Sequence, residues 1–296
     1  MRFGITALEF RPILDQVVVD GVPDFSRFDI TNLVRLALQI QHIKVIEVTA
    51  DIEHVIPGSL TEQSIEKMVH LKEELKHAYT VHLPIWSLEL STFNEYARKA
   101  AVECTVESIK LVEPLQPEVY VLHATGALAA EFSRLKFPRS MVQLICGYMA
   151  SYAAKSIEEI LAKTEIDPRK VAIENQEFPF QIARDLVDQY GTNICFDTGH
   201  LLTRYSGDES VLEFYKQHRD RIVEIHLHDG SYEKLGDDLV HKDHMALGRG
   251  AMPVREFLRE LVNDKFNGPV VFELEAAEAK ESLERIRAVV PEALKR

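Results

Sequence analysis

Short apolar segments recur along the whole chain, and stretches with helical periodicity separate them. The apolar segments are rich in β-branched and aromatic residues, which is typical of buried parallel strands. Helical spacing of apolar residues predicts helices at 64–77, 96–115 and 253–262, the last with Pro253 at its start. The apolar segments predict strands at residues 3–7, 45–49, 79–83, 119–123, 171–174, 194–197, 222–227 and 270–274.

This alternation predicts an α/β fold, a single (β/α)₈ TIM barrel formed by residues 1–296. No glycine-rich dinucleotide fingerprint follows any predicted strand, which disfavours a doubly wound sheet. No Pro/Gly/Ser-rich linker divides the chain into two domains. The segment 228–252 is long and polar for a connection between a strand and a helix, so we expect this loop to cover or complete a site.

Most predicted strands end at a residue that can ligate a metal ion. Glu174, Asp197, His226 and Glu273 end the last four strands or follow them directly. In a TIM barrel the C-terminal strand ends form one face, so these side chains should converge there. Imidazole and carboxylate together suit zinc, manganese or iron. A solvated loop residue or a helix cap explains any one of the acids equally well, so it is the series that predicts a metal site.

Four further histidines lie at strand ends or in nearby loops, namely His82, His123, His200 and His244. A lone histidine at such a place is more often a hydrogen-bonded structural residue than a ligand. Taken together with the carboxylates, they predict a site with two or three metal ions that activates water and neutralises a phosphate leaving group. Asn175, next to Glu174, could orient a ligand, and Glu47 could face the mouth or form a salt bridge.

Charge and composition narrow the range of partners. The formal net charge is −13, from 34 basic and 47 acidic residues, which disfavours duplex nucleic acid and leaves small molecules open. No apolar run reaches the roughly 18 residues that span a bilayer, so we expect no membrane contact. The start MRFGITALEF is typical of a strand rather than a secretory signal. Cys104, Cys146 and Cys195 follow no disulfide or ligand spacing, so we expect buried thiols in a cytoplasmic protein.

The segments TVHLP, VLH, AIEN, DTGH, VEIHLHD and GPVVFE resemble the xylose-isomerase-like barrel superfamily, which includes the endonuclease IV group and many sugar and sugar-phosphate isomerases and epimerases. The first four also resemble those of cobamide-remodelling phosphodiesterases in that superfamily. The resemblance to endonuclease IV implies a trinuclear zinc site with eight ligands in this chain: His82, His123, Glu174, Asp197, His200, His226, His244 and Glu273.

One position departs from the endonuclease IV pattern. With the sequences aligned on LGRG, Lys242 stands where that group has the Asp of an Asp-x-His pair, and Asp243 follows one residue later. The resemblance alone therefore does not assign a third metal ion. Glu275 could compete with Glu273 as the closing ligand, but the GPVVFE context favours Glu273.

The leading hypothesis is a metal-dependent hydrolase that acts on a phosphoester in a small or medium-sized metabolite. Glu174 and Glu273 would be its catalytic carboxylates, and Trp86, His228 and Arg249 would contact the substrate. Wall packing or a solvated loop explains these three equally well.

The alternative is a sugar or sugar-phosphate isomerase or epimerase with one metal ion, in which the two glutamates move protons. A third reading is a non-catalytic barrel. The hypotheses require between one and three Zn, Mn or Fe ions and a phosphorylated or sugar-like substrate, and they leave the oligomeric state open.

Overall fold

Eight parallel strands form a closed barrel at the centre of the molecule. The structure is a computed structural model that describes residues 1–6, 10–235 and 238–295. The barrel strands follow one another in space in the order β1, β4, β5, β6, β7, β8, β9 and β12, and β12 pairs with β1 to close the barrel. The predicted TIM barrel is thereby confirmed. The strands in the described residues are β1 Arg2–Thr6, β2 Val18–Val19, β3 Val22–Pro23, β4 Ile43–Thr49, β5 Ala78–His82, β6 Tyr120–Leu122, β7 Val171–Glu174, β8 Asn193–Asp197, β9 Ile222–His226, β10 Asp229–Leu235, β11 Asp238–Met245 and β12 Pro269–Phe272.

Helices surround the barrel, and several begin at a residue whose side chain accepts a backbone N–H of the first turn. Thr61, Asn94 and Ser210 cap α4, α5 and α10 in this way. The helices in the described residues are α1 Phe10–Val17, α2 Ile30–Leu38, α3 Ile52–Val55, α4 Glu62–Leu75, α5 Glu95–Val112, α6 Ala127–Ser133, α7 Arg139–Thr164, α8 Phe180–Tyr190, α9 Thr198–Leu202, α10 Val211–His218, α11 Val254–Asn263 and α12 Ala276–Val289.

The main hydrophobic core lies between the barrel and its helices. Aromatic rings fill much of it, as in the stacked pair Phe196 and Phe214, whose centroids are 4.5 Å apart. A much smaller apolar cluster, which includes Val121 and Cys195, is separate from that core. Successive strand residues point to opposite faces, so a strand can be apolar toward its helices and carry polar groups on the other face.

The predicted strands agree with the observed ones to within about a residue at most ends. The prediction for the first strand extended to Ala7, which lies outside the described residues. The segment 228–252 differs from the prediction of a polar loop, because most of it pairs as the antiparallel hairpin β10–β11. Pro253 directly precedes α11 rather than lying inside it. None of the described helices is long and apolar enough to cross a membrane.

His77 makes the stability of the barrel sensitive to acid. Its ring is buried, packs edge-on against Tyr79 and has no hydrogen-bond partner for either nitrogen. Burial and the nearby Lys72 ammonium lower the pKa of His77 to about 4. Between about pH 6.5 and pH 4 the unfolded chain therefore binds a proton at this residue that the folded chain does not. This part of the stability is lost as the pH falls through that window.

We predict that the unfolding free energy of His77→Phe falls by about 1–2 kcal/mol less than that of the wild-type protein between about pH 7 and pH 4.5. Urea denaturation at the two pH values measures the change. His70→Phe is the matched control, because His70 is exposed on the neighbouring helix α4. An equal pH slope in wild-type protein and His77→Phe would contradict the prediction.

Candidate metal centre

The C-terminal ends of β7, β8 and β9, together with the residue after β12, bring four ligand side chains into one cluster. Glu174, Asp197 and His226 are the last residues of their strands, and Glu273 directly follows Phe272. One ligand atom from each of the four lies within 4.8 Å of the others. All four side chains sit in the buried mouth of the barrel, where a carboxylate without a cation is unfavourable. They form a plausible site for one divalent ion.

The His226 ring gives the most specific evidence that this cluster fits a cation. Its Nε2 donates a hydrogen bond to Glu47 Oε2 at 3.1 Å, which leaves a lone pair on Nδ1. That Nδ1 is buried, has no hydrogen-bond partner, and lies 3.4–3.8 Å from oxygens of Glu273, Glu174 and Asp197. When the ring is neutral with its proton on Nε2, this lone pair and the three carboxylate oxygens repel one another unless a metal ion lies between them. Without such an ion, burial lowers the pKa of His226 but Cys195 and the surrounding carboxylates raise it well above its usual value, so a proton takes the place of the ion.

A second ligand group shares Glu174 with the first. His123 Nε2 and His82 Nε2 lie 3.0 Å and 3.4 Å from Glu174 Oε2. His82 Nδ1 donates to the Leu83 carbonyl at 3.0 Å, so its Nε2 is free to bind a metal ion. One carboxylate between two ligand groups is an arrangement suited to bridging two metal ions.

A third group forms around Asp243. Its Oδ2 lies 3.7 Å from His200 Nε2 and 3.8 Å from His244 Nδ1. The pairing of β10 and β11 shifts register here, since Asp229 pairs with Met245 but Ser231 pairs with Lys242. This β-bulge places one extra residue on β11 and puts His244 at φ +50°.

The bulge accounts for the departure seen in the sequence. Asp243 contacts the histidines of the mouth, whereas Lys242 is exposed. Asp243 rather than Lys242 therefore lies where it can offer a carboxylate to the group of His200 and His244. A bulge cannot be read from spacing alone, so the aligned position in the sequence pointed to lysine.

His228 also lies inside the ligand cluster rather than at its rim. It is fully buried, with Nε2 2.8 Å from Asp197 Oδ2 and Nδ1 3.1 Å from Asp243 Oδ1. Its ring stacks on His244, and His228, His244 and Glu273 have ligand atoms within 4.8 Å of one another. The sequence carried a signal for this position, because residues 226 and 228 share one side of an extended segment. Cys195 lies against the cluster as well, near Glu174 and His226.

The tight turn after β8 requires glycine at position 199. A Cβ atom there would lie 2.1 Å from His228 Cε1 and from Asp243 Oδ1. The same turn begins with Asp197, whose Oδ1 accepts the His200 backbone N–H at 2.7 Å. Asn175 anchors the Asp197 backbone from below through two hydrogen bonds of 2.7 Å and 2.8 Å. The DTGH sequence thus positions Asp197 and His200, and its glycine lets His228 of the neighbouring segment approach closely.

The acids of the mouth hold several of its imidazoles in the charged form, whereas burial keeps the pKa of His123 below its usual value. Burial alone lowers the pKa of His82, but Glu174 and Glu47 raise it to about 9. Burial likewise lowers the pKa of His200, and Asp197 and Glu174 raise it to about 10. These protons must leave when the imidazoles bind a metal ion, so metal binding should become tighter as the pH rises.

A cavity of about 480 Å³ opens above the ligands. Trp86 lines this cavity, and its side chain is partly exposed. The Asp51 carboxylate fixes the backbone there by accepting the N–H groups of Ile85 and Trp86. Arg249 is not among the residues that line this cavity. Its guanidinium is instead bound to Glu278 and Glu281 on α12. Of the three substrate-contact candidates, the structure brings only Trp86 to the cavity wall.

The sequence of residues 41–289 matches the family model described as xylose isomerase-like TIM barrel. The chain belongs to this family. An uncharacterized protein of Methanocaldococcus jannaschii is 25% identical over 251 residues, which cover 79% of this chain and 78% of that protein. A probable endonuclease 4 of Sulfurihydrogenibium sp. is also 25% identical, over 233 residues that cover 70% of this chain and 75% of the relative.

Solved structures of the xylose isomerase-like fold resemble the whole chain. A D-tagatose 3-epimerase-like protein superposes with a TM-score of 0.69 at 20% identity, covering 99% of this chain and 98% of the other. Endonuclease IV from Thermus thermophilus gives a TM-score of 0.64 at 18% identity, covering 99% and 100%. At these identities the likeness establishes the fold. The family contains both sugar epimerases and endonuclease IV, so membership of the family does not by itself assign a reaction.

We predict that Gly199→Ala lowers the bound metal by at least one ion per chain, because the added methyl displaces His228 and Asp243. Elemental analysis of the purified protein measures the loss. Gly147→Ala is the control, since a Cβ at this position in α7 meets no atom within 4 Å. Full metal content in Gly199→Ala would show that the close approach is not required.

We predict that Asp243→Ala removes one metal ion and that Lys242→Ala removes none, because only Asp243 reaches the ligands. In Asp243→Asn, chelator competition should show that the metal ion beside residue 243 binds about 10–100-fold more weakly than in the wild-type protein. The opposite result, with Lys242→Ala the more harmful change, would refute the role given to the bulge.

Proposed function

We propose that this protein hydrolyses a phosphoester bond in a small or medium-sized metabolite with two or three divalent metal ions. The observation that carries this proposal is the position of Glu174, shared between the His82–His123 pair and the cluster of Asp197, His226 and Glu273. An enzyme that needs one ion does not require a second ligand group, whereas hydrolysis with two ions does. The Asp243 group with His200 and His244 supports a third ion in the same way.

The side chains of the mouth divide the work of such a reaction. Metal ions bound there would lower the pKa of a water molecule and neutralise the leaving oxygen. Glu174 and Glu273 hold positions on either side of His226, where they can ligate the ions and accept a proton. Glu47 orients His226 through its Nε2–H, which presents Nδ1 to the cluster. Trp86 offers a flat apolar surface at the cavity wall.

A mononuclear sugar isomerase or epimerase is the second candidate. The cluster of Glu174, Asp197, His226 and Glu273 is complete without the other histidines. Two glutamates close to one ion could remove and return a proton at a carbon beside a carbonyl group. In this reading His82 and His123 would contact the substrate rather than a metal ion.

A small substrate fits the electrostatics of this chain better than a nucleic acid. The net charge of −13 repels a phosphate backbone, and a long polyanion binds through cationic side chains. Cleavage of abasic DNA should therefore be absent or weak. Rapid cleavage of abasic DNA by the metal-loaded protein would overturn this part of the proposal.

Metal stoichiometry and diester hydrolysis test the proposed function together. We expect two or three Zn, Mn or Fe ions per wild-type chain, with one fewer in His82→Ala and in His123→Ala. Hydrolysis of bis(p-nitrophenyl) phosphate should fall by about 100-fold or more in both variants. His70→Ala, an exposed histidine on α4, is the control.

The other readings make different forecasts for the same measurements. One ion that survives both histidine substitutions, with turnover of a ketose instead of the diester, would favour the epimerase. No bound metal, together with wild-type stability of Glu174→Gln, would leave a barrel without catalysis.

A further inference from the structure

A second cavity, of about 490 Å³, adjoins the first at the barrel mouth. We call the first cavity lobe A and the second lobe B. The two lobes share the residues at their junction, which are His82, Ile85, Trp86, His244 and Glu273. The ligand cluster and Trp86 therefore lie between two spaces of similar size. A substrate that reacts at the cluster can extend into both.

Neither lobe is lined by a lysine or an arginine of the described residues. Beyond the junction, lobe A is lined mostly by small or uncharged side chains, with Glu177 as an added acid. Lobe B adds two threonines and Leu274 to the acids Glu275 and Glu278. Phosphate groups away from the metal ligands would find no cationic partner on these walls.

Two arginines form ion pairs with carboxylates that line the lobes. Arg134 forms an ion pair with Glu177 of lobe A, and its guanidinium lies 4.0 Å from the centroid of the Tyr205 ring. Arg249 pairs with Glu278 of lobe B at 2.9 Å and with Glu281 beside it. Both guanidinium groups are thus neutralised by carboxylates of this chain rather than free to bind an anion.

Glu275 adds an exposed carboxylate to lobe B. Its side chain is exposed and forms no ion pair with another described residue. An anionic substituent in lobe B would be repelled by this carboxylate, and a cationic one would be attracted. The sequence context that favoured Glu273 as ligand leaves Glu275 free for this role.

We infer that the substrate is a diester whose only negative charge lies at the metal ligands, and whose substituents in the two lobes are uncharged or cationic. This inference rests on the proposed hydrolase function and names its substrate class. It disfavours oligonucleotides, because each neighbouring phosphate would have to lie in a lobe that no lysine or arginine of the described residues lines. Trp86, between the lobes, is placed to contact a ring on either substituent.

Three matched diesters test the inference. Each is a p-nitrophenyl aryl phosphate, and the second ring carries hydrogen, carboxylate or trimethylammonium at its para position. With metal-loaded full-length protein at low salt, we expect kcat/KM for the trimethylammonium compound to exceed that for the carboxylate by about tenfold. The difference should shrink in high salt, where exposed charges are screened.

Substitution of Glu275 assigns the preference to lobe B. Glu275→Lys should abolish or reverse the order of the charged diesters, with kcat/KM for each expressed relative to that of the neutral diester on the same variant. Glu284→Lys is the control, because Glu284 is exposed on α12, the helix that follows Glu275, but lines neither lobe. An unchanged charge order in Glu275→Lys would overturn the inference.

Binding of the same compounds separates failure of this inference from failure of the proposed function. Trp86 is the only tryptophan of the chain, so quenching of its fluorescence reports occupancy of the lobes without turnover. Binding in the expected charge order without hydrolysis would reject the hydrolase and keep the charge selectivity. Hydrolysis with no charge order, or no binding of any compound, would reject the inference.

Discussion

The position of His226 is the constraint on which the rest of the centre depends. Glu47 fixes one ring nitrogen from inside the barrel, and the other nitrogen faces three carboxylates without a partner. The hydrogen bond to Glu47 is favourable, but a neutral Nδ1 that faces three carboxylates is not, because lone pairs and buried charges of like sign repel. A cation at the mouth removes this repulsion. The strand ends, the DTGH turn and the hairpin can all be understood as means of delivering ligands around that point.

Much of this arrangement could be predicted from the sequence, because the controlling features are periodic. An apolar strand that ends in Glu174 or Asp197 places its last side chain at the barrel mouth, independently of the conformation of the loops. The positions that the sequence leaves open depend on tertiary contacts. Asp243 reaches the site through a bulge, and Arg249 is withdrawn by two glutamates that lie about thirty residues later in the chain. The sequence places His226 and His228 on one side of an extended segment, but it does not show how closely Gly199 lets His228 approach the other ligand side chains.

The geometry of the ligands and the charge of the walls constrain function in different ways. The ligand groups share Glu174 and so favour chemistry at more than one ion. The walls carry no free cation among the described residues, which limits what can be attached to the reacting group. Within one family fold, the first property supports the proposed phosphoester hydrolysis, and the second supports the proposed preference for a small substrate over a polyanion. The two properties reside on different elements, the strand ends and the outer loops, so evolution can alter one and keep the other.

The bulge at His244 has a consequence for how relatives of this chain are compared. An extra residue on one strand of a hairpin changes which side chain points inward, even when the total length of the segment stays the same. A column-by-column alignment would then record the loss of an acidic ligand where the ligand has only moved to the adjacent column. Inventories of metal ligands across such proteins are therefore more reliable when the inward-facing positions are counted in space than when columns are counted in sequence.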